Sequence, residues 1–242
     1  RDYKVTGVQT CALPIYGDLT AELRQLFPDY VSRSPYARVD REFREVAAQR
    51  IAIDTPDKEN GYVRARLDLP LRFDDEDAPA LYVANNIFGG SSGLSSRLMD
   101  RLRQKDGLSY SAGSSLSMGM RENLSTWSFA AMAAPQNLAR AEQAFLEELT
   151  RARRDGFTAD EVAEAKKGIL EARAVARSQD SAVAARWISL LDLGHDWLYS
   201  KDFETRVMAL TPEQVNTAFR KYIDPGQLTL VVAGDARKGK AN

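Results

Sequence analysis

The chain has 242 residues, 44% of them hydrophobic, which is enough for one large core or two small ones. Lys and Arg number 33 against 34 Asp and Glu, so the net charge of -1 supplies no field to draw the chain onto nucleic acid or anionic lipid. No apolar run approaches the roughly 18 residues of a bilayer span, and neither a nucleic-acid nor a membrane partner is expected.

Val5 to Ile15 reads Val-Thr-Gly-Val-Gln-Thr-Cys-Ala-Leu-Pro-Ile and resembles the in-frame translation of a short-read sequencing adapter. Residues 1–16 are therefore set aside as a scar, with a reading frame expected to have continued upstream. The only cysteine, Cys11, falls inside that segment, so the rest of the chain can form neither a disulfide nor a cysteine-ligated metal centre.

Residues 17–27 carry Leu19, Leu23, Leu26 and Phe27 at helical spacing, and Pro28 stops the run. The polar stretch that follows, with Pro35 and scattered arginines, reads as a linker up to about Arg44. Val46 to Ile53 suits a strand. Tyr62 to Leu69 alternates, with Val63, Ala65, Leu67 and Leu69 on one face and Tyr62, Arg64, Arg66 and Asp68 on the other. Acidic Asp74 to Asp77 before Pro79 suits a helix start, where carboxylates offset the positive end of the helix dipole. That helix is expected to run to Phe88, break at Gly89-Gly90-Ser91-Ser92-Gly93, and give way to a second helix with Leu94, Leu98 and Leu102 inward and Gly107 as its C-cap.

Two alternating segments, Tyr110 to Met120 and Leu124 to Met132, form a hairpin around Arg121-Glu122-Asn123. In the first, Ser111, Gly113, Ser115, Ser117 and Gly119 make a face of small residues that another backbone, either a substrate or a packed helix, could approach. Leu138, Ala141, Phe145, Leu149 and Ala152 then form a core-facing helical stripe. Thr158 with Glu161, and Thr211 with Gln214, have the spacing of capping boxes. Leu228 to Gly234 reads as a buried strand. Strands, helices, a hairpin, helices and a strand, without regular βαβ alternation, predict an α+β fold: a mostly antiparallel sheet with helices layered on one face.

Candidate chemistry is sparse. His195 is the only histidine, and one imidazole without cysteine cannot complete a catalytic zinc site, so a surface or capping role is expected for it. The glycine-rich stretch lacks the Lys-Ser/Thr of a phosphate loop and follows a helix, not a strand; Gly89, Gly90 and Gly107 are read as shaping loops and turns.

The block Asn86 to Tyr110, with its glycine pair, Ser96-Arg97-Leu98 and an arginine seven positions before a tyrosine, closely resembles the C-terminal half of pitrilysin/insulinase-type zinc metallopeptidases. The likeness continues through Pro135-Gln136-Asn137, Gly156-Phe157-Thr158 and Val231-Val232-Ala233-Gly234-Asp235, covering about residues 17–236. It implies a pitrilysin/mitochondrial processing peptidase-like sandwich and gives Arg103 and Tyr110 the role of holding the substrate backbone near the scissile bond. It divides the chain into residues 17–44, the end of a preceding repeat unit and a linker, and residues 45–242, the C-terminal domain. No His-x-x-Glu-His motif occurs here. The resemblance therefore implies a domain that binds no metal and is inactive alone. A zinc-bearing N-terminal half or partner subunit, a peptide or unfolded protein substrate, and a periplasmic or bacterial envelope setting complete what it implies. Two alternatives are a non-catalytic scaffold subunit of the same fold and a peptide-binding module that works by strand addition.

Overall fold

The computed structural model describes residues 21–31, 33–34, 36–90 and 96–239. The segment set aside as a scar, Gly17-Asp18, Leu19 and Ser91 to Ser95 after the glycine pair lie outside them. The chain divides into two units, residues 1–40 and 41–242. In the first, a short helix at 21–26 leaves Leu23, Leu26 and Phe27 exposed, and Phe27 meets Tyr30 edge-on at 6.4 Å.

The second unit is built on five strands: β1 (Gln49–Asp54), β2 (Gly61–Leu69), β3 (Ser111–Ser117), β4 (Ser125–Ala133) and β5 (Thr229–Gly234). Their order across the sheet is β1-β5-β2-β4-β3. All neighbours are antiparallel except β1 and β5, so the sheet is mostly antiparallel, as expected. A parallel pair needs a crossover connection, and here the whole intervening domain serves as one.

Helices α1 (Ala78–Phe88) and α2 (Arg97–Met99, continuing as π-helical turns over Asp100–Lys105) come between β2 and β3. After β4 come α3 (Leu138–Asp155), α4 (Ala159–Ala176), α5 (Asp180–Asp192), α6 (Trp197–Ala209) and α7 (Pro212–Tyr222). Both capping boxes form: the Thr158 and Thr211 hydroxyls accept the N–H of Glu161 and Gln214, and those two side chains accept the N–H of Thr158 and Thr211.

The core lies between one face of the sheet and these helices. Val63, Ala65, Leu67 and Leu69 of β2 and Trp127, Phe129, Ala131 and Ala133 of β4 are buried. Opposite them sits the expected α3 stripe, and Phe129 stacks on Phe145 at 3.9 Å with the rings 5° from parallel. No described helix of this unit covers the other face: Tyr62, Ile51 and Ile53 are 43%, 39% and 48% exposed. That asymmetry corrects the reading of Leu228 to Gly234 as a buried strand, because within β5 only Leu230 and Gly234 are buried.

The acidic cluster before α1 also serves a different purpose from the expected one. The first turn of α1 contains no acid, and Asp77 makes no side-chain cap. Asp74 instead pairs with Arg72, Asp75 accepts the Arg72 N–H at 2.8 Å, and Asp77 accepts from Lys221 and Tyr222 at 2.6 and 3.1 Å. A full cation at hydrogen-bond distance outweighs the half-charge of a helix terminus.

At the end of β5, Asp235 is buried and clamps three groups: the N–H of Asp57 at 3.0 Å, the N–H of Arg237 at 2.9 Å and the Arg237 guanidinium. The guanidinium contact leads in holding its carboxyl well below the usual carboxylate range. A depressed folded pKa gives stability that is present above the unfolded pKa, about 3.9, and lost as pH falls through the folded value. Asp235→Asn should therefore lower the urea midpoint at pH 7, and its gap from the wild type should narrow only below about pH 4.

Candidate active-site surface

Helix α2 opens where the Ser96 hydroxyl accepts the Met99 N–H at 3.3 Å. It then widens into π-helical turns, a form frequent at functional sites. Two of its arginines are fixed by carboxylates. Arg97 forks onto Glu161 with both contacts at 2.7 Å, donates to the Gly156 carbonyl and lies over the Phe157 ring at 4.8 Å. Burial pushes the Glu161 carboxyl up, but Arg97 and the Thr158 N–H outweigh it and leave the group below its usual range. Gly156, at φ 78° and ψ -174°, adopts a backbone conformation open almost only to glycine, which holds that carbonyl in place. Arg101 bonds Asp106 at 2.6 Å and Glu147 at 2.9 Å.

Arg103 has no carboxylate partner among the described residues. Its guanidinium carbon sits 5.7 Å from the centroid of the Tyr110 ring, a cation–π contact at the surface. The turn between them explains the meeting. Gly107 takes φ 60°, nothing lies within 4 Å of where its Cβ would be, and the N–H groups of Leu108 and Ser109 both return to the Leu102 carbonyl at 2.8 and 3.1 Å. Leu108 is buried and anchors the loop, the Ser109 hydroxyl lies 2.7 Å from the carbonyls of Ser111 and Met132, and the Tyr110 N–H bonds the Met132 carbonyl at 3.2 Å. Tyr110 is left 76% exposed with no described hydrogen bond on its phenol. The surface thus presents a cation with five N–H donors and a phenolic O–H side by side, neither satisfied internally.

Tyr110 leads directly into a row of the uncovered sheet face: Ser111, Met132, Tyr62, Ala233 and Ile53 stand opposite one another in register. The small residues Ser111, Gly113, Ser115 and Ser117 share that face, while Ala112 and Ser114 between them are buried towards the helices. At Gly113 the small residue serves packing, since a Cβ there would meet the Gly89 carbonyl oxygen at the end of α1 at 3.0 Å. Arg64 also lies on this face, over Tyr62 at 5.7 Å and without a carboxylate among the described residues, which sequence alternation could not show.

The glycine pair is structural. The N–H groups of Gly89 and Gly90 both bond the Asn85 carbonyl, and the Gly89 carbonyl accepts the Ser114 N–H at 2.8 Å. A Cβ on Gly89 would meet Ser114 N at 2.6 Å, so only glycine lets the end of α1 abut the edge of β3. His195 is half-buried between Phe73 and Tyr199, at 5.6 and 4.5 Å, and its backbone N–H caps α5 at the Leu190 carbonyl. Among the described residues no three His, Cys, Asp or Glu side chains converge to hold a metal. The described donors thus make no tetrahedral zinc ligand set.

No helix among the described residues is long and apolar enough to cross a membrane. No curated protein matches the chain by sequence. Among solved structures it is similar to a peptidase M16 inactive domain of Pseudomonas fluorescens, at 22% identity and TM-score 0.74, covering 90% of this chain and 51% of that one. A protease of Helicobacter pylori gives 18% identity and TM-score 0.75, with 90% and 52% covered. A periplasmic protease of Escherichia coli gives 18% and 0.68, with 90% and 24% covered. The chain thus spans about half the length of the first two structures it matches. At these identities the likeness fixes the α+β fold. A sequence model described as the peptidase M16 inactive domain matches residues 9–169, and the chain belongs to that metallopeptidase family as an inactive domain.

Proposed function

We propose that this domain holds an extended peptide or unfolded protein chain for a zinc-bearing half, carried on the same chain or on a partner subunit. The observation that supports this is the exposed Arg103 and Tyr110 pair, whose donors have no described partner inside the domain. A peptide carbonyl oxygen that gains negative charge as its carbon is attacked would take the guanidinium and the phenolic O–H together, and donors fixed in advance by the Gly107 turn cost no reorganisation. β3, which begins at the residue after Tyr110, is an edge strand rich in small residues, so an extended backbone has room to lie close. Because the described donors converge on no metal site, metal chemistry is assigned to the zinc-bearing half, and a bacterial envelope setting is adopted by likeness to the periplasmic neighbour.

The test is reconstitution. The chain alone, supplied with zinc, is expected to leave an unfolded protein substrate intact, and the full-length protein or the paired subunits to cleave it. Cleavage by the isolated chain, or a full-length enzyme whose activity survives deletion of this domain, would remove the reading.

A further inference from the structure

A second surface, separate from Arg103 and Tyr110, is built by α4, α5 and α6. Helix α5 has 13 residues and buries only Leu190. Trp187, Ile188 and Leu191 on it, with Leu198 on α6, are 40%, 67%, 56% and 68% exposed, and the Trp187 ring packs 5.7 Å from that of Trp197. Trp197 also lines a cavity of about 130 Å³ between α4, α5 and α6, with Arg173, Arg177, Arg186 and Ser200.

The charges in that cavity do not balance. Arg173 and Arg177 share one carboxylate, Glu204, and Arg173 also donates to the Ser200 hydroxyl at 2.8 Å. Arg186 forms no described ion pair or hydrogen bond, and its Nε is buried without an acceptor. Burial first, and then the Arg173 charge, lowers its pKa. A guanidinium with its Nε withdrawn from water and no anion beside it is costly, and its exposed nitrogens accept a carboxylate when one arrives. Trp197 lines the cavity and packs on Trp187, so exposed apolar surface adjoins an unneutralised cation, the pattern of a protein-docking surface.

We propose that this face docks an acidic, apolar protein segment, one carboxylate side chain entering the cavity to pair with Arg186 while neighbouring apolar side chains cover Trp187 and Leu198. The cavity admits a single small anionic group, and the three cations facing one internal carboxylate set the sign of what enters.

The test uses the whole chain with a synthetic Leu-rich peptide bearing one Glu, and its twin with Gln in that position. Trp127 is fully buried, so a change in tryptophan emission reports on Trp187 and Trp197. The Glu peptide is expected to shift the emission and bind at least about tenfold more tightly than the Gln twin, with Arg186→Gln removing the difference. Equal binding of the twins to the wild-type chain overturns the proposal, and that comparison decides even if Arg186→Gln fails to fold. Saturation of the same shift by inorganic phosphate without peptide, or binding to anionic phospholipid vesicles with no response to either peptide, also overturns it.

Discussion

In the full-length enzyme, Arg103→Ala and Tyr110→Phe are each expected to lower kcat/KM on the order of 10² to 10³-fold, the cost of losing one donor aimed at a developing oxyanion. The loss should fall mainly on kcat, because an interaction made with the charged transition state contributes little to binding the neutral ground state. Arg103→Lys keeps the charge but not the planar fork, and is expected to recover only part of the rate. Tyr110→Phe keeps the ring beneath Arg103 and removes only the O–H, so it separates hydrogen bonding from the cation–π contact that orients the guanidinium. Folding should be unchanged in all three, since both side chains are exposed and neither carries an internal hydrogen bond among the described residues. Steady-state kinetics on an unfolded protein substrate, with thermal melting as the control, decides the matter. Unchanged kinetics in both Arg103→Ala and Tyr110→Phe would take the pair out of the mechanism.

What the sequence made legible follows from which forces are local. The α3 stripe, both capping boxes and the Gly107 turn were readable because helix periodicity, cap spacing and positive φ are properties of a few consecutive residues. The alternation in Tyr62 to Leu69 gave the face assignment of β2 residue by residue. Strand order was not readable, and neither was the parallel pairing of β1 with β5, since partners about 180 residues apart leave no local trace. The same limit applied to the acids before α1, whose cations Lys221 and Arg72 outcompete the helix dipole, and to β5, whose apolar run fits a strand covered on one face as well as on two. In the candidate site the meeting of Arg103 with Tyr110 followed from the glycine turn between them, whereas the π-helical widening of α2 had no sequence signal that periodicity could detect. The pairing of Arg97 and Arg101 with carboxylates on α4 and α3, which leaves Arg103 as the unpaired arginine of α2, is likewise a tertiary fact.

Asn85 is the polar residue on which the largest stability effect is expected. It is 7% exposed on the core face of α1, and its Oδ1 accepts from the Trp127 Nε1–H at 2.9 Å and from the Ser114 hydroxyl at 2.8 Å. Trp127 is the largest fully buried side chain, packed against Phe88 and Phe145, so its indole N–H has no route to water. Asn85→Leu keeps the volume roughly constant but strands two buried donors at once. With about 1–3 kcal/mol for each unsatisfied group, it should destabilise the domain by roughly 2–4 kcal/mol, because the Ser114 hydroxyl can turn in search of another acceptor and the indole cannot. The penalty belongs to the orphaned donors and not to the asparagine itself, which makes the prediction separable from a simple packing defect. Adding Ser114→Ala and Trp127→Phe to Asn85→Leu removes both donors, and the triple variant should be more stable than the sum of the three single losses implies. Urea denaturation of the singles and the triple reads this directly: additive losses would mean that Asn85 stabilises the core by shape alone.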